Sequence, residues 1–208
     1  MAHPTGGNYD LEKKNIMLEL DQDITLWLNG MNSDGFDTFF WYVSLKYTWF
    51  VLGVLLIAYL FVKNKPQEAV WFLLFVVVMI LSSDQMCNLC KHAVQRFRPC
   101  WDEGIMDQVH IVNNDRGGKY GFFSAHAAVF FGLAYMTSKF FHNKYFTITI
   151  YTIALMVSYS RIYLGRHFLG DVLVGAVAGT LVAMLAWWAY KRWPLPKQKH
   201  NVLQQNKE

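Results

Sequence analysis

Residues Ser160 to Asp171 read SRIYLGRHFLGD and lead directly into an apolar run that ends near Tyr190. If a helix begins near His167, then His167 and Asp171 lie one turn apart on one face, because residues four apart are neighbours on a helix. The carboxylate can then hold one ring nitrogen of the imidazole and leave the other free. A histidine held in this way can act as a nucleophile. A helix start at a membrane surface that carries the two residues without using them is the alternative.

Two earlier segments carry residue types that complement this pair. Lys91 is separated by six residues from Arg98 and Pro99, and the segment Phe123-Ser124-Ala125-His126 opens another apolar run. With Arg161, the three segments supply three cations, a hydroxyl group and two histidines. This is a set of groups suited to binding a phosphate and transferring its phosphoryl group.

The three segments resemble the signature of the type-2 phosphatidic acid phosphatase superfamily, in both order and spacing. That signature reads Lys-x6-Arg-Pro, then Pro-Ser-Gly-His, then Ser-Arg-x5-His-x3-Asp. The first and third segments match it at every fixed position, whereas the second has Phe123 for the usual proline and Ala125 for the usual glycine. The resemblance covers residues Lys91 to Asp171 by motif and implies an integral-membrane phosphatase.

The composition also predicts a membrane protein of one domain. Of the 208 residues, 54% are hydrophobic and 17% are aromatic, which is rich for a soluble chain of this size. The apolar residues fall in five segments: Phe39 to Val62, Ala69 to Cys90, Phe122 to Phe141, Phe146 to Tyr159, and Phe168 to Tyr190. The first and last can each cross a hydrocarbon core of about 30 Å, and the fourth is the weakest. We expect an all-α polytopic helical bundle with about five transmembrane helices.

The N-terminal segment is too polar to span a membrane. Between Asn8 and Gly30, apolar residues alternate with Glu19, Asp21 and Asp23, which is typical of an amphipathic helix lying in the membrane interface. A helix packed on the extramembrane loops is the alternative. We therefore divide the chain into an interfacial segment (1–38), a transmembrane phosphatase domain (39–192) and a basic cytoplasmic tail (193–208), with a flexible start at Met1 to Gly7.

The distribution of basic residues predicts the orientation. Two short loops and the tail hold nine Lys and Arg residues: Lys63, Lys65, Lys139, Lys144, Lys191, Arg192, Lys197, Lys199 and Lys207. By the positive-inside rule these regions face the cytoplasm. The three motifs then share the opposite face, so we expect a multi-pass protein of a bacterial inner membrane with an extracytoplasmic active site. The formal net charge of +4 is modest and forms no continuous basic face, which argues against nucleic-acid binding.

Each motif residue has an expected role in hydrolysing a phosphate ester. The phosphate would be bound by the side chains and backbone N–H groups of Lys91, Arg98, Ser124, Ala125 and Arg161. By resemblance to the superfamily, His167 is the nucleophile that forms a phosphohistidine, Asp171 fixes its tautomer, and His126 is the general acid and then the base. Three nearby cations would repel a divalent ion, so we expect no metal and no cofactor.

Ala125 is the least secure part of this assignment. An alanine keeps the backbone N–H if φ is negative, but it costs about 1 kcal/mol or more where a left-handed conformation is required.

Several other residues have open interpretations. Asp84 interrupts the second span and is either functional or paired with Lys91 or another cation. Arg96 and Arg166 are not fixed in the family pattern, and we interpret them as headgroup or surface contacts. The loop Cys100 to Lys119 is a lid or a passive connector.

Small residues give two further patterns. Gly175-Ala-Val-Ala-Gly179 has the spacing of close helix contact, within the bundle or in a homodimer. Cys87, Cys90 and Cys100 are interpreted as packing residues.

The leading functional hypothesis is a lipid phosphatase that acts on lipid A, undecaprenyl diphosphate, phosphatidylglycerophosphate or phosphatidic acid. Its expected partners are that phosphorylated lipid and the surrounding membrane lipids, with the oligomeric state open. A lipid phosphotransferase with an acceptor other than water is one alternative, and a non-catalytic lipid-binding protein is another. Binding alone requires cations but no oriented nucleophile, so the intact set of His167, Asp171 and His126 favours an enzyme.

Overall fold

The computed structural model describes residues 6–194, which fold almost entirely into α-helices. The helices are α1 (Gly6–Asn29), α2 (Asp34–Ser44), α3 (Lys46–Lys63), α4 (Pro66–Val94), α5 (Ala125–Phe141), α6 (Lys144–Tyr163) and α7 (Leu169–Arg192). Within this range β structure is limited to an isolated bridge between Phe97 and Tyr120 in the loop that joins α4 to α5. The predicted all-α fold class is therefore confirmed. Most of the predicted flexible start and nearly all of the basic tail lie outside the described residues.

Helix α5 is the centre of the bundle and packs against α4, α6 and α7. The largest apolar cluster lies among α4, α5 and α7 and includes Phe72, Met79, Met136 and Tyr190, each at most 5% exposed. Such burial stabilises the fold by about 1.5–3 kcal/mol per large apolar side chain. The three helices that carry the motifs are thereby held as one packed unit.

Small residues allow α7 to approach α5 closely. A Cβ atom on Gly175 would lie 2.5 Å from the Ser124 carbonyl oxygen, and one on Gly179 would fall within bonding distance of Ala128. The predicted use of this glycine pair in close packing within the bundle is therefore confirmed.

Two helices, α4 and α7, are long and apolar enough to cross a membrane by themselves within the described part of the chain. Helices α2 and α3 meet the same criterion only when taken as one span with a bend of 55°. Helix α5 has 17 residues and α6 has 20, and neither meets it alone. The chain is a multi-pass membrane protein, and the number of five spans remains a prediction.

The first predicted span is not one continuous helix. Leu45 has an extended backbone (φ −73°, ψ 133°) and separates α2 from α3. Side chains satisfy the carbonyl groups that the break leaves free: Thr48 Oγ1 donates to Tyr42 O at 2.7 Å, and Trp49 Nε1 donates to Val43 O at 2.6 Å. The span predicted from Phe39 to Val62 therefore contains a break at Leu45, where local side-chain hydrogen bonds replace helical ones, and its crossing of the membrane stays a prediction.

Helix α1 confirms the predicted N-terminal helix. It exposes large apolar side chains, including Ile16, Met17, Leu20 and Trp27, while Thr25 and Asn29 are buried against the loops near the motifs. It therefore packs on these loops and leaves an apolar surface free, which combines the two alternatives considered for it. Its location in the membrane interface remains a prediction.

Candidate active site

His167 and Asp171 lie together at the junction of α6 and α7. Helix α7 begins at Leu169 and not near His167 as predicted, because Phe168 has an extended backbone and acts as the N-cap. The two side chains still meet: His167 Nδ1 lies 3.6 Å from Asp171 Oδ2. Asp171 Oδ2 also accepts a hydrogen bond from the Phe168 backbone N–H at 3.1 Å, which fixes the carboxylate toward the histidine. Both residues are almost fully buried, at 2% and 0% exposure.

Arg98 of the first motif approaches His167 and Asp171 beside Gly121. A Cβ atom built on Gly121 would lie 3.0 Å from Arg98 Cγ, 3.1 Å from Asp171 Oδ2 and 3.5 Å from His167 Nδ1. Arg98 is held in place because its Nε donates to Tyr120 O at 3.1 Å and its backbone N–H donates to Lys119 O at 3.1 Å. The absence of a side chain at Gly121 thus leaves the space in which three motif side chains converge.

The second motif forms the N-terminus of α5. Ser124 is the predicted N-cap, since its Oγ accepts from the Ala127 backbone N–H at 3.4 Å. Its own N–H donates to the Asp171 carbonyl oxygen at 3.0 Å, which joins the second motif to the third. Ala125 is the first residue of α5 and is not among the residues with positive φ. The alanine therefore fits without the strain considered above.

Arg161 is a buried cation with unused donors. Its side chain is 2% exposed, and its Nε and Nη1 have no hydrogen-bond partner among the described residues. The backbone is fixed, because Arg161 O accepts from Arg166 N at 3.0 Å and from His167 N at 3.2 Å. A buried guanidinium with unsatisfied N–H groups costs free energy unless an anion binds it. This arrangement is suited to a bound phosphate.

The cations of the site act directly on His167. Burial, followed by the positive charges of Arg98, Arg161 and Lys91, lowers the pKa of His167 well below its ordinary value of 6.5. Burial likewise lowers the pKa of Arg98. Lys91, in the last turn of α4, is therefore close enough to contribute to the same electrostatic field. A lowered pKa favours the neutral imidazole, which has the lone pair that a nucleophile requires.

His126 lies on another side of the site, in the first turn of α5. It lines an open cavity of about 360 Å³ together with Asp115, Arg166 and residues of the break between α2 and α3. Arg166 forms an ion pair with Asp115. Its Nε is buried without a hydrogen-bond partner in the described chain, so the expectation of a solvent-facing arginine was wrong. Arg166 instead lies beside the predicted general acid.

The loop between α4 and α5 packs against motif residues. A Cβ atom on Gly117, which has φ +61°, would overlap Arg98 Nη1, so this part of the loop touches the first motif directly. The Cys100 N–H donates to Gly165 O at 3.2 Å, and Arg116 Nη1 donates to Cys100 O at 3.0 Å. The loop therefore packs on motif residues, and whether it is a lid or a passive connector remains a prediction.

Sequence reasoning missed Arg96. It was interpreted as a surface residue, but its Nη1 donates to Asp171 Oδ1 at 2.9 Å and its Nη2 donates to Asp21 Oδ2 at 2.6 Å. Its position between Lys91 and Arg98 was the sequence feature that could have indicated a role in the site. Asp84, in contrast, accepts from Asn88 Nδ2 at 3.2 Å one turn along α4.

Comparison with known proteins agrees with this geometry. Residues 71–194 match the model of the PAP2 superfamily. The chain is 36% identical over 182 residues to a lipid A 4'-phosphatase of Porphyromonas gingivalis, covering 85% of this chain and 77% of that protein. It is also 36% identical over 167 residues to a lipid A 4'-phosphatase of Bacteroides thetaiotaomicron, covering 79% and 74% of the two chains.

A solved structure has the same fold. The PAP2-type phosphatidylglycerolphosphate phosphatase from Bacillus subtilis superposes with a TM-score of 0.66 at 21% identity, covering 86% of this chain and 88% of that one. At this identity the likeness concerns the fold alone. The matched family model spans all three motifs and more than half of the chain, and so this protein belongs to the PAP2 superfamily.

Proposed function

We propose that this protein hydrolyses a phosphate ester of a membrane lipid through a phosphohistidine intermediate, without a metal. The observation that carries the proposal is the buried Arg161, whose Nε and Nη1 lack partners in the described residues next to the buried pair of His167 and Asp171. An unsatisfied buried cation beside an oriented imidazole is suited to a phosphoryl group. It has no evident use in a protein that only spans a membrane.

The first step would transfer the phosphoryl group to His167. Since Nδ1 faces Asp171, the lone pair of Nε2 attacks phosphorus while the bond from phosphorus to the lipid oxygen breaks. His126 gives its proton to that oxygen, and the lipid leaves as an alcohol. Arg98, Arg161 and Lys91 neutralise the equatorial oxygens, which is the largest contribution that a site of this kind makes to phosphoryl transfer.

The second step would return the enzyme to its starting state. His126, now neutral, takes a proton from a water molecule as the oxygen of that water attacks the phosphohistidine. The bond from phosphorus to nitrogen breaks, and inorganic phosphate is released. The cations of the site supply the charge stabilisation that a metal supplies elsewhere, so we expect activity in the presence of EDTA.

We further propose that the substrate carries its phosphate on a lipid A type of headgroup. Two relatives that match about three quarters of their own length are named lipid A 4'-phosphatases. The cavity beside His126 also supports a lipid: Trp41, Leu45 and Tyr47 line it on the side of the helix break, and Arg166 lines it on the side of the site. A lipid could enter there sideways, with its chains against the break and its phosphate toward the cations.

The charge distribution supports an extracytoplasmic active site in a bacterial inner membrane. The three motifs lie on one end of the bundle, and the loops rich in lysine lie at the other end. A cysteine introduced at Gly118, in the loop over the motifs, should react with a membrane-impermeant maleimide in intact spheroplasts. A cysteine introduced at Asn64 should react only after lysis, and the reverse pattern would contradict the proposed orientation.

Phosphate release by the purified protein tests the activity. Wild type, His167→Ala and the control His92→Ala are assayed with EDTA on lipid A, undecaprenyl diphosphate, phosphatidylglycerophosphate and phosphatidic acid. His92 is exposed and occupies a position of the first motif that is not fixed. We expect release by wild type and His92→Ala, fastest from lipid A, and none by His167→Ala. Equal release by His167→Ala would remove it as the nucleophile.

Two further outcomes separate the alternatives. A radiolabelled phosphate on the protein that is acid-labile, and absent from His167→Ala, would support the covalent intermediate. Release that requires an added acceptor lipid would indicate a phosphotransferase, and binding of lipid without release would indicate a binding protein.

A further inference from the structure

Helix α1 turns a polar stripe toward the active site. Asp21, Thr25 and Asn29 are spaced by four residues and therefore share one face of the helix. Thr25 and Asn29 are each 1% exposed, whereas Trp27 on the opposite face is 64% exposed. This is the reverse of a soluble amphipathic helix, in which the apolar face is buried. The buried polar face needs hydrogen-bond partners, and it finds them around residues 162–171.

Asn29 binds the end of the helix that precedes the catalytic loop. Its Nδ2 lies 3.1 Å from Ile162 O and 2.7 Å from Tyr163 O, the last two residues of α6. Its Oδ1 accepts from the His110 backbone N–H at 2.7 Å. The last carbonyl groups of a helix have no partner within it, so one side chain here satisfies two of them.

Thr25 and Asp21 bind the start of the helix that follows that loop. Leu169 N donates to Thr25 Oγ1 at 2.9 Å, and Gly170 N donates to Asp21 Oδ1 at 2.8 Å. The N-cap of α7 is Phe168, which has no polar side chain to cap these groups. Helix α1 thus caps α7 from a position almost 150 residues earlier in the chain.

Arg96 connects the same stripe to the catalytic carboxylate. Its guanidinium bridges Asp21 Oδ2 at 2.6 Å and Asp171 Oδ1 at 2.9 Å. It also lies over the Phe168 ring, 4.1 Å from the ring centroid, which fixes its plane. Asp171 is therefore held on both oxygens: Oδ1 by Arg96, and Oδ2 by the Phe168 N–H.

We propose that Asp21 and Arg96 are positioning residues for Asp171, and that with Thr25 and Asn29 they make α1 a splint for the loop that carries His167. The inference rests on the proposed function, since it concerns how His167 is presented to phosphorus. The Asp21 carboxylate orients the Arg96 guanidinium, which orients the Asp171 carboxylate beside the imidazole. In this role Asp21 and Arg96 act through Asp171 and are not assigned any contact with the phosphate.

The main test compares Asp21→Asn with Asp23→Asn. Both variants remove one negative charge from the same helix, but Asp23 is exposed and two residues away from the buried stripe. We expect Asp21→Asn to lower kcat about tenfold with KM within twofold, because the aligned imidazole is needed for the chemical step and not for lipid binding. Asp23→Asn should match wild type. Equal kcat for the two variants would overturn the proposal.

A double-mutant cycle separates positioning from general damage. If Asp21 acts through Asp171, then adding Asp21→Asn to an Asp171→Asn protein should lower kcat less than twofold further. A variant that only misfolds a fraction of the enzyme would lower kcat tenfold in both backgrounds. That second result would overturn the positioning role. Arg96→Lys, which keeps the charge but not the two-sided bridge, should fall between wild type and Arg96→Gln.

Amide hydrogen exchange tests the splint without any reference to activity. Asp21→Ala, which removes the acceptor of the Gly170 N–H, should speed exchange at Gly170, and Thr25→Val should speed exchange at Leu169, by about tenfold each. Unchanged exchange at both amides would refute the splint whether or not the protein is a phosphatase. If wild type releases no phosphate from any lipid, but the variants show these exchange changes, the proposed function is refuted and the splint is supported.

Discussion

Replacing Gly121 by alanine tests the convergence of the motifs most directly. The new Cβ would lie 3.0 Å from Arg98 Cγ and 3.1 Å from Asp171 Oδ2, where ordinary contacts begin near 3.4 Å. Relief of the overlap therefore requires Asp171 to move by about 0.3 Å, away from a histidine whose Nδ1 is already 3.6 Å from Oδ2. A misplacement of about 1 Å can lower a rate by about 100-fold, so a shift of this size should lower kcat about fivefold.

The matched control is Gly118→Ala, three residues earlier in the same loop. A Cβ atom there would meet no atom within 4 Å, and Gly118 does not have a positive φ. Initial rates of phosphate release are measured for both variants well below their unfolding temperatures, since overpacking at Gly121 also destabilises by about 1–3 kcal/mol. A kcat for Gly121→Ala within a factor of two of Gly118→Ala would refute the inferred crowding around Asp171 and His167.

Three further predictions follow from the same structure. The pKa of His167 is well below 6.5 in the folded protein, so below about pH 6.5 the unfolded chain binds a proton at this residue and the folded chain does not. The unfolding temperature should therefore fall as the pH drops below about 6.5. In His167→Gln this part of the pH dependence should disappear. Arg161→Lys loses the paired donors of a guanidinium, and kcat/KM should fall about 10- to 100-fold, with an unchanged value contradicting a role in phosphate binding. Gly179→Ala would drive a Cβ into Ala128 and should lower the unfolding temperature by several degrees, whereas Gly53→Ala, with no atom within 4 Å of its Cβ, should not.

Sequence spacing accounts for part of the arrangement around the predicted site residues, because each motif is local. Lys91 and Arg98 are held by the end of one helix and the loop after it, and Ser124 caps the helix that follows it. The i,i+4 spacing of His167 and Asp171 brings them together even though the helix begins two residues later than expected. Short-range spacing of this kind is insensitive to small errors in helix boundaries.

The contacts that hold the site could not be predicted because they are long-range. The position of Arg96 in the first motif places it near the site, but it does not indicate that Arg96 bridges Asp171, 75 residues later, to Asp21, 75 residues earlier. The break at Leu45 was hidden in an apolar run, because the side-chain hydrogen bonds of Thr48 and Trp49 that stabilise it give no signal in hydropathy. A sequence pattern indicates which face of a helix carries polar residues, but not which residues that face contacts.

The contacts of α1 also set an order for the making of the protein. Asp21, Thr25 and Asn29 leave the ribosome well before their partners on α6 and α7, which are translated more than 130 residues later. During that interval the stripe has only water or unrelated groups to bind, and Arg161, His167 and Asp171 do not yet exist. The candidate site therefore forms only after residues 162–171 have been translated and have met α1.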